Sequence, residues 1–399
     1  MAGVVELNRT DRVVVVGAGM AGAQAALGLR QGGWEGRIAL VGEEPHRPYD
    51  RPPLSKDVLL GKADSTAFDV DWEHLGIELL PGRRATGLER GVLHTDAGEL
   101  PYDGLVIATG AEPLALPGAA GAHVLRTLDD AMALRALLTA GRSVVLVGAG
   151  WIGAETATVA RELGCRVTVV EAGPAPLAGA LPPELGALMA DWYAAAGVEL
   201  RLGAGVAGVE PGAVLLADGT RLAADEVVVG IGARPATGWL AGGVELDARG
   251  AILVDERLRT SLPGVWAAGD CVSYPSARAG VRLTVQHWDH ALQSGGAVAA
   301  SLLGAPTPYD PVPYFWSEQF GRMVQYAGRH ADAEEVLWRG SPQDASWAVL
   351  WLSGGAPVAA LTVDRPRDLN QARRLIERGT PLDRELAADP AVPLKSAAR

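Results

Sequence analysis

Two glycine-rich fingerprints in this chain have the spacing that holds the pyrophosphate of a dinucleotide. They are Gly17-Ala18-Gly19-Met20-Ala21-Gly22 and Gly148-Ala149-Gly150-Trp151-Ile152-Gly153. The first glycine of such a motif allows a tight strand-to-helix turn, the second lets the backbone approach the pyrophosphate, and the third allows close helix–strand packing. The phosphates then lie at the positive end of the helix. Two such units predict two dinucleotides, and the pairing suggests FAD and a nicotinamide with electrons passing between them.

An acidic residue follows the second strand of each unit, where a ribose hydroxyl is normally bound. Glu43 follows Arg37–Val41, and Glu171 follows Arg166–Val170. A carboxylate accepts hydrogen bonds from the adenosine 2′-OH and repels a 2′-phosphate. Residues 172–176 carry no cation, so the second unit favours NADH over NADPH. The alternative is two tight turns in an ordinary parallel sheet, but strand, fingerprint, helix, strand and acid occur in register twice.

These motifs require two nucleotide-binding folds, and the chain repeats its pattern. Strands are predicted at Val13–Val16 and Val144–Val147, each followed by an Ala-rich helix. Alternation at Ile77–Leu80 and Gly91–Thr95 predicts antiparallel strands. This repeated pattern predicts an α/β fold with two Rossmann-like domains, the second inserted in the first. We expect one nucleotide-binding domain at 1–110 and 238–312, and the inserted one at 111–237.

The tail differs from these two halves. Trp347–Leu352 and Val358–Val363 flank a Ser-Gly-Gly turn and predict a hairpin. Asp368–Arg378 predicts a helix with a basic face. We therefore expect a small α+β C-terminal domain at 313–399.

Composition limits the classes of partner. The chain has 399 residues and a formal net charge of −12, which argues against general binding to nucleic acid or to anionic lipid. No run approaches the roughly twenty apolar residues of a membrane span, and Met1–Asp11 shows no export signal. We expect a cytoplasmic protein without membrane contact.

Cysteine usage excludes one branch of two-nucleotide chemistry. The chain contains only Cys165 and Cys271, with no Cys-x-x-Cys. A redox dithiol needs two sulfurs close together, so disulfide reductase and peroxidase chemistry is disfavoured. No His/Cys cluster has metal-ligand spacing, so we predict no metal site.

Four further motifs resemble those of the FAD-dependent ferredoxin reductases that serve Rieske oxygenases and cytochrome-type monooxygenases. They are Arg47-Pro48-Tyr49-Asp50-Arg51-Pro52-Pro53-Leu54-Ser55-Lys56, Ala108-Thr109-Gly110, Gly269-Asp270-Cys271 and Tyr314-Phe315-Trp316-Ser317-Glu318-Gln319. The first motif is the most specific, and the resemblance runs from about residue 12 to about residue 390. It implies a glutathione-reductase-like arrangement, with an FAD-binding domain at 1–110 and 238–312, an inserted NADH-binding domain at 111–237, and the C-terminal domain appended.

The resemblance also implies roles for individual residues. Lys56 would lie near the flavin N5, paired with Glu155, and Trp316 would lie near the isoalloxazine; these three are the predicted catalytic residues. Predicted FAD contacts are Gly17, Gly19, Gly22, Glu43, Arg51, Lys56, Ala85, Thr109, Asp270 and Trp288. Predicted NADH contacts are Gly148, Gly150, Ile152, Gly153, Glu171 and Gly232.

Five of these residues carry alternative interpretations. Without the catalytic role, Lys56 is a solvated surface lysine, Glu155 is an ordinary acid in the first turn of a helix, and Trp316 is a core tryptophan.

Arg51 would pair with phosphate oxygens of FAD, or it forms a salt bridge that stabilises its loop. Asp270 would bind a ribityl hydroxyl at the N-terminus of a following helix, or it only caps that helix. His287, next to Trp288, is expected to be a hydrogen-bonded residue at a helix start and not a proton carrier.

The implied activity is hydride transfer from NADH to FAD, followed by release of single electrons to a separate [2Fe–2S] ferredoxin, an acidic electron-transfer protein. The alternatives are a rubredoxin reductase or other flavin NADH reductase, and a flavoprotein redox switch that acts by protein binding. We expect a monomer or a homodimer. Candidate docking cations are Arg365, Arg367, Arg373, Arg374 and Arg378 in the tail, or else Arg278, Arg282, Arg322 and Arg329. The alternative for the tail arginines is a solvated helix face, which is the commoner role of such a cluster.

Overall fold

The computed structural model describes residues 7–240 and 242–399; residues 1–6, inspected above for an export signal, lie outside the described residues. The α-helices are α1 (Met20–Gln31), α2 (Leu128–Leu137), α3 (Trp151–Glu162), α4 (Pro183–Ala195), α5 (Trp288–Leu302), α6 (Pro366–Arg378) and α7 (Arg384–Ala388). In the part of the chain that is described, no helix is both long and apolar enough to span a bilayer.

The strands of the first half are β1 (Val13–Val16), β2 (Ile38–Val41), β3 (Ile77–Leu80), β4 (Ala85–Glu89), β5 (Val92–Thr95), β6 (Gly98–Pro101), β7 (Gly104–Ile107), β8 (Ala111–Pro113), β9 (Ser143–Val147), β10 (Arg166–Val170), β11 (Glu199–Arg201), β12 (Val206–Glu210) and β13 (Ala213–Leu216). The later strands are β14 (Arg221–Ala223), β15 (Glu226–Val229), β16 (Ala233–Pro235), β17 (Ile252–Leu253), β18 (Val265–Ala267), β19 (Val272–Ser276), β20 (Val281–Leu283), β21 (Tyr314–Gln319), β22 (Arg322–Gly328), β23 (Glu335–Arg339), β24 (Trp347–Ser353) and β25 (Ala356–Val363).

The first fingerprint belongs to a five-stranded parallel sheet of order β18-β7-β1-β2-β3. All four valines of β1 are buried, as expected for a central parallel strand that is covered on both faces. The chain leaves this sheet after β7 and returns to it only at β18. The predicted insertion of one nucleotide fold within another is therefore confirmed.

The second fingerprint belongs to a parallel sheet of order β11-β10-β9-β15. In both sheets the fingerprint strand lies between the strand that follows its helix and a strand from later in the unit. A three-stranded antiparallel sheet, β4-β5-β6 or β12-β13-β14, precedes that later strand in each case. The repeated pattern of the sequence thus corresponds to two units with the same strand topology.

The prediction for Ile77–Leu80 was wrong in strand direction. This segment is β3, which pairs parallel with β2 at the edge of the first sheet. Its alternating burial is that of an edge strand with one face partly exposed. Alternation reports which face is covered and not the direction of the neighbouring strand. The other segment, observed as β5, is antiparallel as predicted.

The described residues group into two compact units. The first combines the N-terminal residues through Pro52 with Ser65–Glu112 and Ala233–Asp310; the second combines Pro53–Asp64, Pro113–Gly232 and Pro311–Arg399. Segment 53–64 joins the second unit because, for example, Arg135 donates to the carbonyls of Val58 and Ala63. The division into three domains stays a prediction.

Helices α1 and α5 of the first unit pack closely in the same direction. A Cβ on Gly295 of α5 would lie 2.3 Å from the carbonyl oxygen of Ala21, and one on Gly28 of α1 would lie 2.8 Å from the Cβ of Ala299. Side chains larger than hydrogen would separate the helices at these positions. Because the contacts advance together along both helices, the two positive N-terminal ends lie at the same side of the unit.

The C-terminal residues form an antiparallel sheet of order β21-β22-β25-β24-β23. The predicted hairpin is β24–β25, and the predicted helix is α6; both are confirmed. Tryptophans of β24 cover one face together with residues of α4, while α6 covers the other face with Leu369, Ala372 and Ile376. The sheet is therefore buried on both sides.

Candidate active site

The first glycine turn has the geometry of a phosphate-binding loop. Gly17 has φ +109°, and a Cβ there would lie 2.1 Å from the carbonyl oxygen of Ala108. A Cβ on Gly22 would lie 1.9 Å from the carbonyl oxygen of Gly17, whereas Gly19 has no atom within 4 Å of that position. Two glycines are thus required by the fold, and the third faces open space at the start of α1. Thr109 directly follows Ala108 at this turn and donates to the carbonyl of Ala236 at 2.8 Å.

The second glycine turn repeats this geometry. Gly148 has φ +102° and approaches the carbonyl oxygen of Gly230, and a Cβ on Gly153 would lie 2.1 Å from the carbonyl oxygen of Gly148. The nearest atom to a Cβ on Gly150 is 3.9 Å away. Ile152 is 43% exposed beside this opening. Gly232, at φ +117°, is two residues from Gly230 and lies on the same side of the unit.

Glu171 is anchored to the second turn. One carboxylate oxygen accepts the backbone N–H of Ala149 at 2.7 Å, and the other accepts that of Gly173 at 2.7 Å. The side chain is half-buried. A carboxylate can accept about four hydrogen bonds, so this arrangement leaves acceptor capacity for a ribose hydroxyl.

In the first unit the acid after β2 is exposed, and the glutamate next to it already has a hydrogen-bond partner and an ion-pair partner. Glu43 is exposed, while Glu44 accepts a 2.5 Å hydrogen bond from the Tyr49 hydroxyl and pairs with Arg51 at 2.6 Å. The Arg51 guanidinium also lies over the Tyr49 ring. The loop-stabilising salt bridge considered for Arg51 is therefore present, and its predicted FAD contact stays a prediction.

The predicted pair of Lys56 and Glu155 is present in the second unit. The ammonium lies 2.7 Å from one carboxylate oxygen, and the two side chains are 19% and 6% exposed. Lys56 follows a short 3₁₀ turn, and Glu155 lies in the second turn of α3. Removing one partner of such a buried pair typically costs about 3–5 kcal/mol, so each side chain depends on the other.

Two serine hydroxyls that the sequence did not single out hold Glu155. Ser55 donates to the oxygen that also binds Lys56, at 2.5 Å, and Ser317 of β21 donates to the other oxygen at 2.7 Å. Gln319 in turn donates to the Ser317 hydroxyl at 3.1 Å. Both serines stand in the motifs that carry the resemblance. No spacing signal links either of them to Glu155, because each lies at least a hundred positions away along the chain.

Trp316 lies on the opposite face of β21 from Ser317. Its ring stacks on Tyr314 with centroids 6.0 Å apart, and the guanidinium of Arg373 lies 4.5 Å from the Tyr314 ring centre. Trp316 is half-buried. Strand alternation therefore gives β21 one face toward Glu155 and another with a partly exposed aromatic pair.

Asp270 lies in a short 3₁₀ turn, Gly269–Cys271, which packs on α1 and α5. The expectation that a helix follows it was wrong: β19 follows directly, because Val272-Ser273-Tyr274 favours a strand. The backbone of Gly269 is held on both sides, since its N–H donates to Ser294 and its carbonyl meets the ring of His290 at 3.2 Å. Burial lowers the pKa of His290 to about 4, so its ring is neutral at pH 7.

Trp288 begins α5, and its indole N–H donates to Asp50 at 2.6 Å. This bond joins the Arg47–Lys56 motif to the helix start. Burial lowers the pKa of His287, the N-cap residue of α5, to about 4, so its ring is neutral at pH 7. Ala85 begins β4 and packs partly buried on the core of the first unit.

Both cysteines are enclosed by apolar surroundings. Burial raises the pKa of Cys271 to about 11 and also raises that of Cys165. Each thiol donates to a backbone carbonyl, that of Ala268 or of Thr139, at 3.3 Å. No dithiol is available to the cofactors. Within residues 7–240 and 242–399, no group of three or more His, Cys, Asp or Glu side chains is arranged to hold a metal ion.

Partners differ among the candidate docking cations. Arg365 pairs with Asp368, Arg329 pairs with Asp332, Arg322 lies over Trp192, and Arg282 donates to main-chain carbonyls. Arg374 and Arg378 of α6 instead line a groove of about 200 Å³ together with Lys395. Arg367 is exposed on the same helix. The docking surface stays a prediction.

Two family models together match most of the chain. The family model described as pyridine nucleotide-disulphide oxidoreductase matches residues 11–295, and the model described as reductase C-terminal matches residues 314–398.

Similar proteins resemble the chain over nearly its whole length. The 5,5′-dehydrodivanillate O-demethylase ferredoxin reductase subunit of Sphingobium sp. is 38% identical, covering 96% of this chain and 97% of its own. The ferredoxin–NAD⁺ reductase component of the p-cumate 2,3-dioxygenase system of Pseudomonas putida is 36% identical, covering 97% and 98%. The crystal structure of the covalent putidaredoxin reductase–putidaredoxin complex matches with a TM-score of 0.93 at 35% identity, covering 98% of both chains.

Proposed function

This chain belongs to the family of pyridine nucleotide-disulphide oxidoreductases, and we propose that it works there as an FAD-dependent NADH:ferredoxin reductase. Its acceptor is a [2Fe–2S] ferredoxin that feeds a Rieske oxygenase or a cytochrome-type monooxygenase. The observation that carries this proposal is the pair of equivalent glycine turns, in a chain whose full-length relatives are ferredoxin reductases. We place the protein in the cytoplasm, where NADH is available.

The first turn fits the pyrophosphate of FAD. The open position at Gly19 allows phosphate oxygens to approach the N–H groups at the start of α1, where Gly17 and Gly22 shape the loop. Thr109 lies at the same turn. Asp270 would bind the ribityl chain, and Trp288 would lie beside the ring, with Glu43, Arg51 and Ala85 as the remaining contacts.

The second turn fits NADH. Gly150 provides the same opening at the start of α3, and Gly148, Gly153 and Gly232 shape its surroundings. Glu171 would accept a hydrogen bond from the adenosine 2′-OH and exclude a 2′-phosphate. Ile152 would cover an apolar face of the bound nucleotide, since it is an exposed aliphatic side chain at the helix start.

When bound, FAD supplies the chemistry that accepts a hydride and passes its two electrons on singly. The contribution of this chain is orientation and charge. Lys56 would present its ammonium to the flavin N5, where a positive charge favours electron-rich states. Glu155 holds that ammonium at 2.7 Å. Trp316 would cover the ring from β21 and exclude water.

The electron acceptor lies outside this chain. Both thiols are buried and singly placed, so no internal dithiol can take the electrons. A separate iron–sulfur protein supplies the one-electron acceptor that the family resemblance implies.

The test is a steady-state assay of purified, FAD-loaded protein with NADH or NADPH against several acceptors. We expect rapid reduction of a [2Fe–2S] ferredoxin with NADH, and weak activity with rubredoxin. Faster turnover with rubredoxin would favour a rubredoxin reductase. A long-lived NADH-reduced flavin that no carrier reoxidises would favour the redox switch, and a protein that binds no FAD would contradict all three.

A further inference from the structure

The Glu155 carboxylate is held at both of its oxygens by side chains from separate parts of the second unit. Lys56 and Ser55 donate to one oxygen at 2.7 and 2.5 Å. Ser317 donates to the other oxygen at 2.7 Å. A carboxylate that is bound at one oxygen can still turn about its terminal bond, whereas one that is bound at both has a fixed plane.

The direction of the Ser317 hydrogen bond is also fixed. A carboxylate that pairs with an ammonium only accepts hydrogen bonds, so the Ser317 hydroxyl hydrogen points toward Glu155, while the Ser317 oxygen accepts from the Gln319 amide at 3.1 Å. Ser317 and Gln319 are 0% and 1% exposed. Water therefore does not compete for these hydrogen bonds, and both run in the same direction: Gln319 donates to Ser317, and Ser317 donates to Glu155.

The position of the Lys56 ammonium depends on this carboxylate. A lysine side chain is flexible along four carbons, and here its charged end meets Glu155 while most of the side chain is shielded from solvent. When the plane of the carboxylate is fixed, the bound ammonium is fixed with it. Functional groups need this kind of support, because a misplacement of about 1 Å can slow a reaction by roughly a hundredfold.

We propose that Ser317 is a positioning residue for flavin reduction: its hydroxyl, oriented by Gln319, fixes the Glu155 carboxylate and thereby the Lys56 ammonium. This inference rests on the proposed role of Lys56 in hydride transfer. It gives β21 a second role besides presenting Trp316, since adjacent residues of the strand act on opposite faces.

The test is rapid mixing of the FAD-loaded protein with NADH, without oxygen, to measure the limiting rate of flavin reduction and the dissociation constant of NADH. We expect Ser317→Ala to slow reduction roughly tenfold while FAD content and NADH dissociation constant stay within twofold. Gln319→Leu should slow it in the same direction. NADH deuterated at C4 should give an isotope effect, which shows that the measured step is hydride transfer.

Thr158→Val is the matched control. The Thr158 hydroxyl accepts the backbone N–H of Phe320 at 3.0 Å, so this variant also breaks a bond between α3 and the end of β21 but leaves Glu155 untouched. We expect it to reduce at the wild-type rate. Equal slowing in Thr158→Val and Ser317→Ala would show that strand placement is responsible and would overturn the proposal.

A double-mutant cycle tests the route through Glu155. In a Glu155→Leu background, Ser317→Ala should have no further effect, because there is no carboxylate left to position. The same tenfold slowing in that background, or a wild-type rate in Ser317→Ala alone, would overturn the proposal. Failure of the wild-type protein to oxidise NADH would instead reject the proposed function, and this inference with it.

Discussion

Glu171 accepts the backbone N–H of Ala149 at 2.7 Å, which ties the acid after β10 to the middle of the second glycine turn. Its other oxygen accepts the N–H of Gly173 at the same distance. The residue proposed to select the nucleotide therefore also shapes the loop that would hold the phosphates. Selectivity and affinity are coupled at this one side chain.

Replacing Glu171 with arginine should change both properties. We expect kcat/KM for NADH to fall about 10- to 100-fold, since the loss of a charge-assisted hydrogen bond costs about 1.5–3 kcal/mol. The preference should shift toward NADPH, because the repelling carboxylate is gone. NADPH activity should still stay below that of the wild type with NADH, because Ala149 has lost its acceptor. Steady-state kinetics with both nucleotides measure this, and an unchanged preference would place Glu171 away from the ribose.

Lys56→Ala should slow flavin reduction by NADH about 10- to 100-fold while FAD stays bound, because the ammonium that favours the reduced ring is lost. Rapid-mixing absorbance measures the rate, and the flavin spectrum measures FAD content. Lys62→Ala is the matched control, since this lysine is 61% exposed and lies 3.7 Å from Glu162, which is 56% exposed. A Lys56→Ala protein that reduces at the wild-type rate would remove Lys56 from the site.

The two glycines of the second turn should separate folding from binding. Gly150→Ala adds a methyl group at φ −75° whose nearest atom, the carbonyl oxygen of Gly230, lies at an ordinary contact distance of 3.9 Å, so the melting temperature should not change. The KM for NADH should rise at least tenfold, because the methyl group occupies the approach of the pyrophosphate. Gly153→Ala places its methyl group 2.1 Å from a backbone oxygen and should lower the melting temperature as well. Normal NADH binding by Gly150→Ala would contradict the assigned phosphate position.

Acid should destabilise the first unit through His290. Burial lowers its pKa to about 4, below the ordinary value of about 6.5. Between these two pKa values the unfolded chain binds more protons than the folded chain. The contribution of His290 to the free energy of unfolding is therefore complete above about pH 6.5 and is lost as the pH falls toward 4. We expect it to be worth about 2 kcal/mol between pH 7.5 and pH 5.

The measurement is the drop in melting temperature between those two pH values, with FAD in excess. This drop should be smaller in His290→Gln than in the wild type, by roughly 2–4 °C for each kcal/mol that His290 contributes to the free energy of unfolding. Gln keeps a polar side chain but does not titrate. Equal drops in the two proteins would show that His290 is not the group that senses acid.

The sequence allowed prediction of features that depend on a local pattern. The glycine turns are such features, because Gly17 and Gly148 must adopt positive φ angles that other residues avoid. The Lys56–Glu155 pair followed from the family resemblance and not from any local rule. The direction of β3 did not follow, since alternating burial is shared by edge strands of either kind.

The hydrogen bonds around Glu155 could not be predicted because they depend on tertiary packing. Ser317 reaches Glu155 only after β21 has packed on α3, and serine is too common for its type to indicate a role. The same holds for Glu44, which binds Tyr49 and Arg51 in place of its neighbour Glu43. Adjacent acids in a loop differ only in where the fold points them.

The burial of Cys271 and Cys165 has a practical consequence. A thiol with a raised pKa and no route to solvent reacts slowly with alkylating agents and peroxide. The protein is thus protected from oxidation at its two thiols, and it can be purified and stored without added dithiothreitol.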